Sequence, residues 1–427
     1  MRWTLLASDE IDLKIANRRY EAISKIVRKT VKGTKAEKLT LSDLLDEVLL
    51  DKYLGIPLFL VIVWIIFQLV FMATAPLSDL LDLTFSSLRD AIISRYPNNP
   101  IASMIANGII GGVGTVMIFI PSIFFLFLCL SILEDSGYMA RAAFIMDKLM
   151  YKIGLHGKSF ICLILGFGCN VPAVMATRSI EDRGSRIITV LVNPFISCSA
   201  RLPVYMLISL IFFREKAATV IVCLYGLGIL VTVLTSIFLR KTVFKDIPSM
   251  FMLEFPRYKL PNARDVMLLT WDRLLHFLKK AGTTILFGVI LMWFLSSYPL
   301  NAPLEETAIA AIGKFLEPIF APLGWNWKVA VSLLFGFMAK ELIVGAFGLL
   351  YGGEEATMMQ ALRESLSPES ALALLVFSAI YMPCLATISA IKQELNSTKW
   401  TLITVVYSLL LAYTLAYIAY ILGGIIL

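Results

Sequence analysis

The sequence predicts an all-α polytopic membrane protein built as two inverted repeats with broken or re-entrant helices. Three observations predict it. The 427 residues are 58% hydrophobic and 16% charged, with a mean hydropathy of +0.80, whereas soluble domains hold roughly 45–50% apolar residues. Residues 165–172 read Leu-Gly-Phe-Gly-Cys-Asn-Val-Pro, so two glycines and a proline interrupt an apolar run. A second interruption spans Asn193 to Pro203, with Cys198 between two prolines. Broken backbone at membrane depth is tolerated only where protein or a water-filled cavity surrounds it. Interrupted helices that carry liganding atoms are how transporters build a site near the bilayer midplane.

The net charge of +7 is not a nucleic-acid footprint, because the basic residues fall into particular loops and so report membrane orientation. Met1 to Asp51 is charged and lacks the long apolar core of a signal peptide. The six cysteines (129, 162, 169, 198, 223, 384) all lie in apolar stretches, which argues against an extracellular disulfide framework. A small buried hydrophobe is the default reading of each.

Residues 1–53 read as a cytoplasmic helical segment. Ile11, Ile15, Ala22 and Ile26 form one apolar stripe on an otherwise charged helix. A first membrane helix over 57–75 and an external segment occupy 54–115. With about 20 apolar residues needed to span a bilayer, further spans are expected at 116–133, 186–213, 217–239, 281–298, 370–391 and 400–425. Segments 158–177 and 328–350 are long enough but flawed. The first carries Gly166-Phe167-Gly168-Cys169-Asn170, and the second carries Gly336-Phe337-Met338-Ala339-Lys340-Glu341.

Charge decides the topology. Loop 240–280 has nine Lys or Arg against four acids and is expected to be cytoplasmic. Loops 134–158 and 178–186 carry four and three basic residues, while 299–327 and 351–369 carry one each with several acids and are expected outside. Only if both flawed segments are re-entrant do the basic loops share one face and the acidic loops the other. Repeat A then covers 116–240, a basic cytoplasmic loop covers 241–280, and repeat B covers 281–427. Gly166-Phe167 and Gly336-Phe337 each begin eight residues into their flawed segment.

Cys198 leads the candidates for metal chemistry. Ser197 and Ser199 flank it and Arg201 would favour its thiolate. Thiol, hydroxyl and carbonyl donors suit a borderline cation such as Fe(II) better than Mg or Ca. Cys169 with Asn170, and Cys384 in Tyr381-Met382-Pro383-Cys384, are the partner candidates. Glu134 and Asp135 would sit at a cytoplasmic mouth, as cation attractors or as solvated helix-end charges. Intramembrane Lys340 and Glu341 are functional candidates by default, although at the tip of a re-entrant loop they could simply reach water. Gly157-Lys158-Ser159 mimics the end of a phosphate-binding loop. That motif needs a glycine five residues earlier, where Lys152 stands, so no GTP site is expected in this chain. His156 and His276 are too far apart in sequence to argue for a site. No Ser/His, paired-Asp or His-Glu-x-x-His arrangement supports an enzyme.

Three strings closely resemble the prokaryotic ferrous-iron transporter family FeoB: Glu134 to Phe144, Gly166 to Ala173, and Ser197 to Tyr205. The resemblance continues through Phe277 to Gly282 and Met338 to Glu341, and covers the chain from about residue 8. It implies two Gate regions, Fe(II) as substrate, and an iron path served by Cys169, Cys198 and Cys384. It also implies a multi-pass protein of the prokaryotic cytoplasmic (inner) membrane with a cytoplasmic N-terminus. Members normally begin with a GTP-hydrolysing G domain and a helical spacer. Here Ile15-Ala16-Asn17-Arg18-Arg19-Tyr20 is similar to the end of that spacer, so a G domain is expected as a separate chain or a deleted part. Transport of another divalent metal or of a nucleoside on Gate-type repeats is the alternative, and a homo-oligomer stays open.

Overall fold

The computed structural model describes residues 54–96, 104–244, 258–298, 304–352 and 355–426, with isolated positions elsewhere. The chain divides into two compact units, Met1–Asp51 and Lys52–Leu427, and the membrane architecture belongs to the second. The stripe of Ile11, Ile15, Ala22 and Ile26 lies outside the described residues.

Helix α1 (Gly55–Arg95) runs for 41 residues, about 60 Å at the helical rise. It therefore extends well beyond the expected 57–75 span. A π-helical turn over Met104–Ile110 leads into α2 (Gly111–Asp135), which packs along α1. Gly137, at φ +82°, turns the chain by 84° into α3 (Tyr138–Lys152). Next come α4 (Gly157–Gly168) and α5 (Asn170–Ala176), separated only by extended Cys169. These two arms pack side by side, so the chain doubles back at Cys169.

Helices α6 (Arg183–Val192) and α7 (Leu202–Phe213) are the halves of one interrupted helix. The interruption holds two 3-10 turns, Asn193–Phe195 and Ser199–Arg201. Helix α8 (Ala217–Thr242) folds back along both halves. The approach is close: a Cβ on Gly228 would stand 2.6 Å from the Phe195 carbonyl oxygen.

The second half repeats this order. Helix α9 (Ala263–Phe277) continues through a π-helical turn, Leu278–Gly282, into α10 (Thr283–Ser297). The expected 281–298 span is thus the C-terminal part of a longer helical run. Helix α11 (Ala308–Phe320) bends by 103° into α12 (Trp327–Met338), which doubles back through Ala339, Lys340 and Glu341 into α13 (Leu342–Tyr351). Helix α14 (Glu355–Ser365) precedes α15 (Pro368–Ile380) and α16 (Leu385–Leu395), the halves of a second interrupted helix. Helix α17 (Thr398–Ile426) closes the unit and packs on α15. Two segments expected as external loops therefore carry helices α11 and α14.

The correspondence between the halves is detailed. Helices α4 and α12 both have 12 residues, and each ends on an extended residue, Cys169 at φ −152° and Ala339 at φ −149°. Among the described residues, the non-glycine positions with left-handed φ are Arg214 at +38° and Asn396 at +44°. They occupy the same place, the turn from the interrupted helix into the returning one. The packing is reciprocal as well: α5 rests on α16, and α13 on α7. Each re-entrant arm thus seats on the interrupted helix of the other half. By length and composition, four described runs could cross a membrane, or up to six if each bent pair is one span. The longest of these, Arg183–Thr242, folds back at Arg214.

Candidate functional site

All four interruptions meet at one cavity of about 140 Å³. Gly168 to Val171 contribute from the first re-entrant tip, Cys198 to Arg201 from the first interrupted helix, and Met338 to Glu341 from the second tip. Cys384, Ala386 and Thr387 come from the last interruption. Helices α1 and α2 supply an apolar outer wall that includes Phe67 and Leu126.

Three thiols are presented in the same way. Cys169 caps α5, Cys198 caps the Ser199–Arg201 turn, and Cys384 caps α16. None of the three makes a side-chain capping bond, because sulfur is a weak acceptor. All three cysteines line the cavity. Cys384 Sγ lies 3.2 Å from the Thr387 hydroxyl.

The neighbouring groups divide into committed and uncommitted. The Ser199 hydroxyl donates to the Gly168 carbonyl at 2.9 Å, which joins two interruptions and leaves its lone pairs for the cavity. Asn170 is 5% exposed and its Oδ1 has no hydrogen-bond partner. A buried acceptor without a partner is costly, so an unpaired oxygen lining a cavity points to a ligand. Glu341 also lines the cavity. Ser197 does not join it; its hydroxyl is held 3.0 Å from that of Tyr205 in the core.

Arg201 also has a structural part. Its Nη1 donates to the Ala379 carbonyl at 2.6 Å, and its Nη2 to those of Pro194 and Tyr381 at 3.0 and 3.4 Å. The guanidinium therefore satisfies carbonyls that both helix interruptions release, across the two halves. Lys340 is likewise not solvated: it is 2% exposed, and its Nζ donates to the Met382 carbonyl at 2.8 Å.

Glu134 and Asp135 lie away from the cavity. Glu134 pairs with Arg273 at 2.8 Å, and Asp135 accepts from Lys259 at 2.5 Å and from the Asn262 amide at 3.0 Å. These contacts tie the end of α2 to α9 and to the residues just before it. Of the remaining cysteines, Cys162 is buried, Cys223 is exposed, and neither lines the cavity. Among the described residues, no three His, Cys, Asp or Glu side chains converge closely enough to hold a metal ion.

Beyond the cavity, Val171 and Val174 of α5, Val190 of α6, and Ala390 and Ile391 of α16 pack into one apolar cluster. A buried carboxylate follows. Glu394 is bound by Arg178 Nε at 2.8 and 2.7 Å, while Arg186 Nη2 reaches its backbone carbonyl at 3.0 Å.

Comparison with known proteins bears directly on this arrangement. The Gate family model, described as nucleoside recognition, matches residues 116–212 and 278–398, one match in each half. The model for the ferrous iron transport protein B C terminus matches residues 221–273, between them. A protein named Fe(2+) transporter FeoB from Methanocaldococcus jannaschii is 43% identical over 98% of this chain and 64% of its own length. Proteins of the same name from Staphylococcus aureus and Campylobacter jejuni are 40% and 38% identical, over 95% and 93% of this chain and 62% and 67% of theirs. The chain belongs to the FeoB family. It spans 64% of the length of the Methanocaldococcus relative. No solved structure matches it. Within this FeoB-family chain, each Gate match contains one re-entrant hairpin and one interrupted helix, and so supplies two of the four interruptions that line the cavity.

Proposed function

We propose that this chain carries Fe(II) across the prokaryotic cytoplasmic membrane, and that the cavity lined by Cys169, Cys198 and Cys384 lies on the path. The observation that carries the reading is the convergence of four helix interruptions, three of which carry a cysteine, on one cavity. Thiol, hydroxyl and amide donors match a borderline first-row cation and serve Mg or Ca poorly. A passage must bind its ion firmly enough to admit it and weakly enough to release it, and an unclosed donor set suits that need. The cavity volume weighs against a nucleoside, since pockets for organic ligands run from about 300 to 1,000 Å³. The curated relatives are named as Fe(2+) transporters, and that name supports the choice of metal.

In this reading the two halves are inverted repeats, spanning 116–240 and 281–427. The basic loops and the N-terminus face the cytoplasm. The Val171–Ile391 cluster and the Glu394 latch then form the closed cytoplasmic barrier below the cavity. A G domain acts on that face, and the transporter itself has no catalytic centre. Uptake of radiolabelled Fe(II) by cells expressing the chain, with a G domain supplied separately, tests the proposal. Cys198→Ala should abolish uptake at normal membrane abundance, while Cys223→Ala should leave it intact. Equal uptake by the two variants would remove Cys198 from the path.

A further inference from the structure

The offset that relates Gly166 to Gly336 and Cys169 to Ala339 also relates Asn170 to Lys340. The two halves thus place different chemistry at one structural position, at the tip of each re-entrant hairpin and facing the same cavity. Asn170 brings an unpaired oxygen. Lys340 brings a primary amine, fully enclosed, whose Nζ sits 2.8 Å from the Met382 carbonyl and 3.1 Å from the centre of the Tyr381 ring. Among the described residues no carboxylate is within ion-pair distance of it. Its ionisable neighbours are Arg201, Cys384, Cys198, Glu341 and Tyr381.

A carbonyl oxygen freed by a helix interruption and the face of an aromatic ring both attract cations. Cys384 stands two residues beyond that carbonyl and lines the same cavity. Carbonyl, ring and thiol together have the makings of a cation subsite. In the metal-free protein that subsite already holds an amine from the protein itself, against both the carbonyl and the ring.

We propose that the Lys340 ammonium is a tethered stand-in for the cargo, and that an entering divalent metal ion takes the Met382 carbonyl in its place. The inference rests on reading the cavity as a metal path and adds a new ligand and a displaced group to it. Two features single out Lys340 as the group that moves. Arg201 is held by three carbonyls from both halves of the fold, whereas Lys340 has one hydrogen bond. A lysine is also a point charge on a flexible four-carbon stem, while a guanidinium fork is fixed by its geometry. Like charges in so small a cavity repel, so metal and ammonium do not share the carbonyl. A monovalent ion gains nothing by replacing an ammonium of equal charge. A divalent ion that also recruits thiolates does.

The test is Co(II) binding by the purified full chain in lipid nanodiscs, read by Co(II) absorption and by calorimetry. Lys340→Met keeps the stem and removes the charge. Lys340→Gln removes the charge and keeps a donor for Met382, so it guards against misfolding of the first variant. Both should bind Co(II) at least about tenfold more tightly than wild type, because a repelling charge has left the site. Methylammonium should compete with Co(II) in both variants and have no effect on wild type. Folded variants that bind Co(II) no more tightly than wild type, or that ignore methylammonium, would overturn the inference and leave the metal path standing. Folded protein of all three kinds that binds no Co(II) would overturn the metal path and this inference together.

Discussion

Gly166 and Gly336 hold equivalent positions just before the two re-entrant tips, yet alanine at each should behave differently. A Cβ on Gly336 would stand 2.3 Å from Tyr381 Oη and 2.4 and 2.5 Å from Ile343 Cγ1 and Cδ1. Neither neighbour can retreat. Tyr381 and Ile343 are each 1% exposed, and the Tyr381 ring is stacked 5.2 Å from Phe377 and sits under Lys340. Overpacking a filled core costs ~1–3 kcal/mol, and this geometry belongs at the upper end. Alanine recovers about 1 kcal/mol through helix propensity, so Gly336→Ala should destabilise by about 2 kcal/mol. At Gly166 the nearest atoms are Ile196 Cγ2 at 3.1 Å and Asn170 Oδ1 at 3.2 Å, which need only a slight shift. There the propensity gain and the packing cost cancel, and stability should change little. Thermal unfolding of both variants in the same detergent decides the matter, with iron uptake as a second readout. Because Tyr381 supports Lys340, uptake should fall in Gly336→Ala more than in Gly166→Ala. An equal or larger loss of stability in Gly166→Ala would refute the assignment of the Tyr381 interruption to the second hairpin.

Two further outcomes are expected. Replacing both Arg178 and Arg186 by alanine strands the Glu394 carboxylate, whose side chain is 2% exposed. The loss should be ~3 kcal/mol, the low end for an orphaned buried charge since Arg178 is half in water, and adding Glu394→Gln should recover part of it. A double variant that melts with wild type would show that the latch contributes nothing. Single cysteines at the exposed positions Glu181, Arg264, Glu305 and Arg363, in a background without native thiols, test the inverted orientation. An impermeant maleimide on intact cells should label only the 305 and 363 sites, and labelling at 181 would mean that 158–177 crosses the membrane.

The sequence made the interruptions legible where glycine, proline and cysteine coincide, at Gly166 to Pro172 and at Pro194 to Pro203. Those residues act through the local backbone, so their effect can be read locally. The matching Gly-Phe pairs located the repeat for the same reason. Pro383 carried an equal signal, but the 370–391 run is so apolar that it reads as unbroken. Helix α11 was hidden because Gly313 and Pro318 make an apolar segment resemble a loop. The roles of Arg201, Lys340, Glu134 and Asp135 depend on partners remote in sequence. Arg201 meets Ala379 across 178 positions and Asp135 meets Asn262 across 127. No local pattern encodes such pairings. Ser197 shows the converse, since adjacency to Cys198 suggested a ligand while its hydroxyl, in the extended stretch between two turns, lies against that of Tyr205.

The central claim is that iron meets sulfur inside the membrane. X-ray absorption at the iron edge measures this directly, on purified chain loaded anaerobically with Fe(II) in nanodiscs. The account predicts a sulfur shell around the iron in wild type, which weakens in Cys198→Ala and disappears when Cys169, Cys198 and Cys384 are all replaced by serine. Bound iron surrounded only by oxygen and nitrogen in wild type would contradict it.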